Sequence, residues 1–188
     1  MIEAGGGRFE IRLSGSGGQG LMLAGKLLAE AAVHDGKNAV QTQSYGPEAR
    51  GGKSKTDVVI SDGEIDYPKA TSVDVLLAMS QPACDEYGDS LREGGLLIVD
   101  SKLVQDVERG DAVLIPFTSL ALEECGRQLF ANVVALGALV ELTGAVGWES
   151  LRSAVLARVP KGTEEVNEKA LSVGREAARS VSKGGTGG

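Results

Sequence analysis

The sequence predicts an α/β protein, a three-layer Rossmann-like domain with a mostly parallel sheet and a helical C-terminal part. Three observations lead to this prediction. Strand-like and helix-like segments alternate over the first 115 residues. Two of the strand-like segments, 73–79 and 96–100, are almost entirely apolar, as in strands buried on both faces of a parallel sheet. A glycine-rich loop, 15–20, lies between the first predicted strand and the first predicted helix.

Local periodicity predicts the N-terminal elements. Residues 8–14 alternate apolar and polar side chains and form the first predicted strand. From Leu21 to about Val33 apolar residues recur on one helical face, and Asp35-Gly36 supplies the glycine that often ends a helix. Residues 38–44 are a short second strand. The later strands are predicted at 54–61, 73–79, 96–100 and 111–116, with a helix and turn at 81–95.

The C-terminal part, from Thr118 onward, is predicted to be helical. It contains a buried helix at 132–143, an amphipathic helix at 148–159 and a last helix that runs to about Ser182. All of these elements belong to one predicted domain, residues 1–182. The polar, glycine-rich segment 183–188 is expected to be a disordered tail.

Composition excludes several classes of function. The net charge of −7 is unfavourable for binding phosphate backbones, so we expect no nucleic-acid partner. No apolar run approaches the length of about 20 residues that a membrane span needs. The N-terminal residues lack the basic-then-apolar pattern of a signal peptide. We therefore expect a cytoplasmic protein without a membrane partner.

The chain has two cysteines, Cys84 and Cys125, and a single histidine, His34. The cysteines lack the spacing of a metal site and predict two free thiols. A four-iron cluster needs about four thiolates, so the sequence predicts no metal site on this chain. His34 lies where a helix is predicted to end, a position that favours a protonated imidazole. Any redox reaction would therefore need electron carriers on other chains.

Gly15, Gly17 and Gly20 fit the pattern G-x-G-x-x-G between a strand and a helix, which is the context of a dinucleotide-binding loop. Glycines allow close approach of a ligand, and N–H groups at a helix start attract an anion. The second strand, however, lacks the terminal acid that would hold a nicotinamide ribose, and no Gly-Lys-Ser/Thr of a P-loop follows. The loop is either an anion site, as in a nucleotide-binding module, or a tight turn that serves packing alone.

A second loop, within QTQSYGPEARGGKS at 41–54, joins two predicted strands. It follows the carboxyl end of a strand, where α/β sheets bind their ligands. Arg50 beside Gly51 and Gly52 offers a forked donor next to exposed backbone N–H groups, which suits a carboxylate or phosphate. The alternative is a surface turn with a solvated arginine.

Together the two loops, GSGGQG (15–20) and SYGPEARGG (44–52), closely resemble the γ subunit of the 2-oxoacid:ferredoxin oxidoreductases. SYGPEARGG is the most specific segment, and the resemblance is closest to the 2-oxoglutarate branch, with the pyruvate and ketoisovalerate branches similar. Further matching segments extend it over nearly the whole chain: SDGEIDYP (61–68), VDVLLAMSQPA (73–83), GGLLIVDS (94–101), NVVALGALVELTG (132–144) and VPKGTEEVNEKALSVG (159–174).

This resemblance implies a heteromeric enzyme that converts a 2-oxoacid, coenzyme A and oxidised ferredoxin to an acyl-CoA, carbon dioxide and reduced ferredoxin. In that family thiamine diphosphate lies between the α and β subunits, and iron–sulphur clusters lie in β or in a ferredoxin-like δ subunit. The resemblance therefore implies a chain that completes the assembly near the active site, in contact with coenzyme A or the substrate carboxylate. The remaining alternatives are an independent nucleotide-binding module and a purely structural subunit.

The two loops supply the candidate site, and neither contains an obvious nucleophile. Since the thiamine cofactor supplies the carbanion chemistry, the resemblance implies no catalytic residue on this chain. Trp148 is predicted to pack, and Asn167 is predicted to be an exposed helical residue without function. The candidate cofactor-facing residues are Gly15, Gly17, Gly18, Gln19, Gly20, Ser44, Tyr45, Arg50, Gly51 and Gly52.

Overall fold

The computed structural model describes residues 7–45 and 53–184, and within them it has six strands in one sheet. The strand order is β2-β3-β1-β4-β5-β6. β1 is parallel to β4, β4 to β5 and β5 to β6, whereas β3 is antiparallel to both of its neighbours. The predicted mostly parallel sheet is therefore confirmed. The strands are β1 (Arg8–Ser16), β2 (Asn38–Tyr45), β3 (Lys53–Ser61), β4 (Val73–Ala78), β5 (Leu91–Asp100) and β6 (Val113–Ile115).

The position of β3 is the main departure from an ordinary dinucleotide-binding sheet. In that fold the second strand pairs directly with the first, but here β3 lies between β1 and β2 and pairs with both. Only residues 46–52 separate β2 from β3, and consecutive strands joined by a short connection pair antiparallel. As a result, β2 is one strand further from β1 than in the dinucleotide-binding fold.

The helices agree with the predicted helical C-terminal part. Within the described residues they are α1 (Leu21–His34), α2 (Gln81–Tyr87), α3 (Phe117–Cys125), α4 (Ala131–Thr143), α5 (Trp148–Arg158) and α6 (Glu164–Gly184). α1 ends as predicted, because Asp35 caps it and Gly36 has a positive φ of 77°. α6 extends two residues into the segment predicted as a tail, and residues 185–188 lie outside the described residues. No described helix has the length and apolar character needed to cross a membrane.

Each face of the sheet has its own core. The larger core lies between the face that carries Ile11, Leu13 and Leu77 and the helices α1, α3, α4, α5 and α6. The smaller core lies on the opposite face, where Leu76 and Val99 pack with Cys84 of α2. Both faces of β4 are buried, as its apolar sequence predicts. The third layer is thin, because it consists of one short helix and loops.

The polar face of β1 is buried as well, although its alternating sequence suggests a strand with one solvated face. Arg12 is 5% exposed and donates from Nε and Nη2 to the two carboxylate oxygens of Asp57, at 2.7 and 2.9 Å. Glu10 accepts the backbone N–H groups of Thr71 and Ser72, from the loop that leads to β4. Buried charges are tolerated here because each has a partner.

Glycines set the distance between α4 and α6. A Cβ atom on Gly174 would lie 1.8 Å from the carbonyl oxygen of Val134, and one on Gly137 would lie 2.1 Å from that of Leu171. The two helices therefore cross in backbone contact, which confirms the predicted buried helix at 132–143. α4 begins beside the glycine loop, where Asn132 donates to the carbonyl oxygen of Gly20.

Candidate functional site

The two loops singled out in the sequence leave the same edge of the sheet. In the strand register Tyr45 of β2 lies opposite Ser54 of β3, and Ser54 lies opposite Gly15 of β1. The Ser54 hydroxyl also donates to the Gly15 carbonyl oxygen at 3.4 Å. Because β3 reverses direction, the connection 46–52 starts and ends beside the glycine loop. The carboxyl ends of parallel strands are where such sheets bind ligands.

The carboxamide of Gln19 holds the glycine loop from inside. Its Oε1 accepts the backbone N–H of Ser16 at 2.7 Å, and its Nε2 donates to the carbonyl oxygen of Met79 at 2.8 Å. Met79 directly follows β4, and its own N–H donates to Ser14 of β1 at 2.8 Å. Both polar atoms of the Gln19 side chain are therefore used within the chain.

Asn132, the second residue of α4, contacts the other end of the loop. It is 6% exposed, and its Nδ2 donates to the carbonyl oxygen of Gly20 at 3.2 Å. Its Oδ1 accepts the N–H of Val133 at 2.9 Å. The Gly20 carbonyl also accepts the first helical hydrogen bond of α1, from Ala24 at 3.0 Å. α4 and α1 are thus joined at the point where α1 begins.

The glycines of this loop are needed for different reasons. A Cβ on Gly15 would lie 2.2 Å from Oε1 of Gln19 and 2.8 Å from Leu21, so packing excludes a side chain. Gly20 has a φ of 77°, and a Cβ there would lie 2.4 Å from Nδ2 of Asn132. Gly18 has a φ of 93° with no described atom within 4 Å of its Cβ position, so its side of the loop is open. Packing therefore explains Gly15 and Gly20, whereas Gly18 faces open space.

A cleft of about 380 Å³ lies beside the open side of the loop. At its far wall, fully buried Asp100 at the end of β5 accepts the N–H of Lys102 and that of Thr118, both at 3.0 Å, and also the Thr118 hydroxyl. Asp100 thereby fixes the two segments that face the loop. The cleft is lined by Gly18, Gln19, Met79, Lys102, Leu103, Thr118, Gln128, Leu129 and Ala131.

Exposed apolar side chains lie around this edge. Leu103 and Leu129 line the cleft and are 40% and 60% exposed. Met22 and Leu23, in the first turn of α1, are 48% and 42% exposed. Neighbouring exposed apolar residues at a ligand-binding edge are typical of surfaces that another protein covers.

The candidate residues of the second loop are described only in part. Ser44 is exposed and lines a polar pocket of about 290 Å³ that also contains Lys55, Asp57 and Lys69. Tyr45 is described by its backbone alone, as the last residue of β2. Arg50, Gly51 and Gly52 lie outside the described residues. Their contact with a cofactor stays a prediction.

The other residues weighed in the sequence have structural surroundings. Cys84 and Cys125 are free thiols, and burial raises the pKa of both. His34 is the exposed last residue of α1. The ring of Trp148 lies 4.2 Å from the guanidinium carbon of Arg175, which places Trp148 in packing. Among the described residues no three His, Cys, Asp or Glu side chains come together as a metal site would require.

Sequence reasoning missed Asn132 and was wrong about Asn167. Asn167 is 4% exposed, not exposed as predicted, and its Nδ2 donates to the backbone oxygen of Thr163 at 2.8 Å. In the sequence Asn132 opens an apolar run, and the only local signal is a polar residue at the start of an otherwise buried helix. A buried amide of this kind needs a partner, but the sequence does not say which one.

Comparison with known proteins gives consistent matches over the whole described fold. The model of the pyruvate ferredoxin/flavodoxin oxidoreductase family matches residues 10–179. The chain is 52% identical over 179 residues to the 2-oxoglutarate synthase subunit KorC of Methanocaldococcus jannaschii, covering 93% of this chain and 96% of that one. Its structure matches the γ subunit of a keto/oxoacid ferredoxin oxidoreductase from Geobacter sulfurreducens with a TM-score of 0.85 and 50% identity, over 95% and 99% of the two chains.

A more distant structure has the same fold within a longer chain. This is the 2-oxoglutarate:ferredoxin oxidoreductase of Magnetococcus marinus, solved with 2-oxoglutarate, coenzyme A and succinyl-CoA bound. The TM-score is 0.82 at 22% identity, and the match covers 94% of this chain and 32% of that one. At this identity the likeness concerns the fold alone.

Proposed function

The chain belongs to the pyruvate ferredoxin/flavodoxin oxidoreductase family, and from this premise we propose that it is the γ subunit of a 2-oxoglutarate:ferredoxin oxidoreductase. The reaction is the conversion of 2-oxoglutarate, coenzyme A and oxidised ferredoxin to succinyl-CoA, carbon dioxide and reduced ferredoxin. The observation that carries the proposal is the 52% identity, over nearly the full length of both chains, to a subunit of 2-oxoglutarate synthase. The full-length match to a γ subunit supports the same assignment.

The chemistry of the chain requires partner subunits. Its two cysteines are too few for a four-iron cluster, which needs about four thiolates. Burial raises the pKa of both thiols, which disfavours the thiolate form that binds iron. The cysteine count agrees with what the family resemblance implies, that thiamine diphosphate and the iron–sulphur clusters belong to α, β and, where present, δ subunits. When bound there, thiamine diphosphate supplies the carbanion chemistry.

The position of β2 makes an independent dinucleotide-binding module less favourable. In such a module an acidic residue at the end of the second strand holds the ribose, one strand away from the glycine loop. In this chain that strand ends Gln43-Ser44-Tyr45, without a carboxylate, and β3 lies between it and β1. Since neighbouring strands are about 4.8 Å apart, the end of β2 is displaced by that distance from the ribose position.

The edge with the two loops is the surface we assign to the active site and the partner subunits. The open side of Gly18, the cleft beside it and the exposed Leu103 and Leu129 support this assignment. Backbone of the loop 15–20, together with Arg50, Gly51 and Gly52, would contact coenzyme A or the substrate carboxylate. The apolar side chains around the cleft would be covered by a partner chain.

Reconstitution tests the proposal. Purified α, β and δ subunits are assayed for viologen reduction with coenzyme A and 2-oxoglutarate, pyruvate or 2-oxoisovalerate, with and without this chain. We expect no activity from the chain alone and 2-oxoglutarate-dependent activity only when the chain is added. Equal activity without the chain would contradict the γ-subunit role. Preference for pyruvate or 2-oxoisovalerate would contradict the substrate assignment while leaving the role intact.

A further inference from the structure

We propose that Gln19 and Asn132 are positioning residues, which hold the glycine loop in the shape that it presents to the cleft. The inference rests on the proposed function, because it concerns the loop assigned to the active site. It also changes the expected role of Gln19, which the sequence grouped with the cofactor-facing positions.

The side-chain amides are already occupied. Oε1 and Nε2 of Gln19 bond to the Ser16 N–H and the Met79 carbonyl oxygen, at 2.7 and 2.8 Å. Nδ2 and Oδ1 of Asn132 bond to the Gly20 carbonyl oxygen and the Val133 N–H, at 3.2 and 2.9 Å. Each carboxamide nitrogen keeps a second N–H, but turning either amide toward a ligand would break a bond of the chain itself.

The two amides hold opposite ends of the loop. Gln19 fixes the loop to the end of β4 through Met79, and Asn132 fixes the loop to the start of α4 through Gly20. Between these points lie Gly17 and Gly18, which are exposed. Gly18 has a φ of 93°, which glycine adopts readily, so the contacts at the two ends of the segment decide its shape.

The glycines match this arrangement. Gly20 leaves the space that Asn132 Nδ2 occupies, since a Cβ there would lie 2.4 Å from it, and Gly15 leaves the space for Gln19 Oε1, at 2.2 Å. These two glycines and the two amides therefore form matched pairs. Because a preformed loop avoids the ordering cost of binding, loss of either amide should weaken ligand binding and leave the chemical step unchanged.

The test combines exchange in the full chain with kinetics of the assembled enzyme. Gln19→Met removes both bonds of Gln19 at similar size, and Asn132→Asp removes the donor to Gly20. The matched control is Asn167→Asp in α6, which removes a similarly buried amide donor to the backbone oxygen of Thr163. Deuterium exchange of the peptide 15–22 should be at least about fivefold faster in the first two variants, as expected for loss of a hydrogen bond. It should be unchanged in the control.

In the reconstituted complex both variants should raise the KM for coenzyme A or for 2-oxoglutarate about five- to tenfold, with kcat within about twofold, the pattern of lost ground-state binding. Which KM rises identifies the ligand of the loop. Gln19→Glu keeps the acceptor for Ser16 and should recover part of the effect, and Gln19→Met carries the test if Asn132→Asp does not fold.

Unchanged deuterium exchange of the peptide 15–22 in both Gln19→Met and Asn132→Asp would overturn the proposal. Faster exchange with unchanged KM values for coenzyme A and for 2-oxoglutarate would overturn it as well. Failure of the proposed function is seen separately, as wild-type activity that does not depend on this chain.

Discussion

Replacing Gly174 by alanine should destabilise the chain, because α4 and α6 cross there in backbone contact. The added Cβ would lie 1.8 Å from the carbonyl oxygen of Val134 and 3.0 Å from the backbone nitrogen of Ala138. Real Cβ atoms essentially never approach closer than 3.0 Å, so the helices must separate by more than an ångström. The atom that has to move is backbone, so no rotamer change relieves the contact.

The magnitude follows from two opposing effects. Overpacking of a close-packed core costs about 1–3 kcal/mol and occasionally more, and separation of the helices also weakens the packing of α4, whose residues 131–140 are all buried. Alanine favours a helix over glycine by about 1 kcal/mol, which offsets part of this cost. We therefore expect Gly174→Ala to lower the free energy of unfolding by about 2 kcal/mol, or the melting temperature by about 4–8 °C for a chain of this size.

The assay is urea unfolding followed by circular dichroism, with Gly88→Ala as the matched control. Gly88 has helical dihedral angles, with φ −53° and ψ −44°, and no described atom lies within 4 Å of its Cβ position. Alanine there should leave stability unchanged or raise it by up to about 1 kcal/mol. If Gly174→Ala proved as stable as the wild type while Gly88→Ala behaved as expected, the close approach of α4 and α6 would not be what requires glycine.

Three further predictions concern the site, the buried ion pair and a surface carboxylate. Arg50→Ala should leave assembly with α and β intact, as seen by gel filtration, but abolish most 2-oxoglutarate-dependent viologen reduction; unchanged turnover would indicate a structural loop. Asp57→Ala leaves the guanidinium of Arg12 buried without its carboxylate and should cost about 3–5 kcal/mol in urea unfolding, whereas the double variant with Arg12→Met should recover much of that loss. The hydrogen bond from Arg179, with a second from Arg175, lowers the pKa of Glu141 against the opposing effect of burial. This stabilisation is complete above the unfolded pKa of about 4.3 and is lost as the pH falls through the lower folded value. Glu141→Gln should therefore reduce the free energy of unfolding at pH 7 more than at pH 3, and an equal effect at both would refute the ion-pair explanation.

Local pattern was sufficient for most elements of the fold. The alternation in 8–14, the apolar run at 73–79 and the helical period from Leu21 predict β1, β4 and α1 to within one or two residues. These signals are reliable because each depends only on neighbours in the sequence. When one face of an element is buried, apolar residues recur about every 2 residues in a strand and about every 3.6 residues in a helix. The same reasoning identified both loops, since glycine clusters after strands are local features.

The local sequence pattern did not show which strands pair with each other or which distant side chains meet. β3 is inserted between β1 and β2, and the polar face of β1 is buried because Arg12 meets Asp57, 45 positions away. A strand carries the same alternation whichever strand it pairs with. The alternation in 8–14 therefore predicts a strand but does not show that the polar face of β1 is buried.

The sequence by itself determined that this chain has an α/β fold, two glycine-containing loops and too few cysteines to hold a four-iron cluster alone. Only the tertiary structure decided that the loops leave the same edge of the sheet, through the register of Tyr45, Ser54 and Gly15. It also decided that Gln19 bonds to Met79 and that Asn132 supports Gly20 from 112 positions away. The physical reason is that tertiary packing selects a hydrogen-bond partner that is distant in sequence. The local sequence around either residue carries no periodic pattern that would identify that partner.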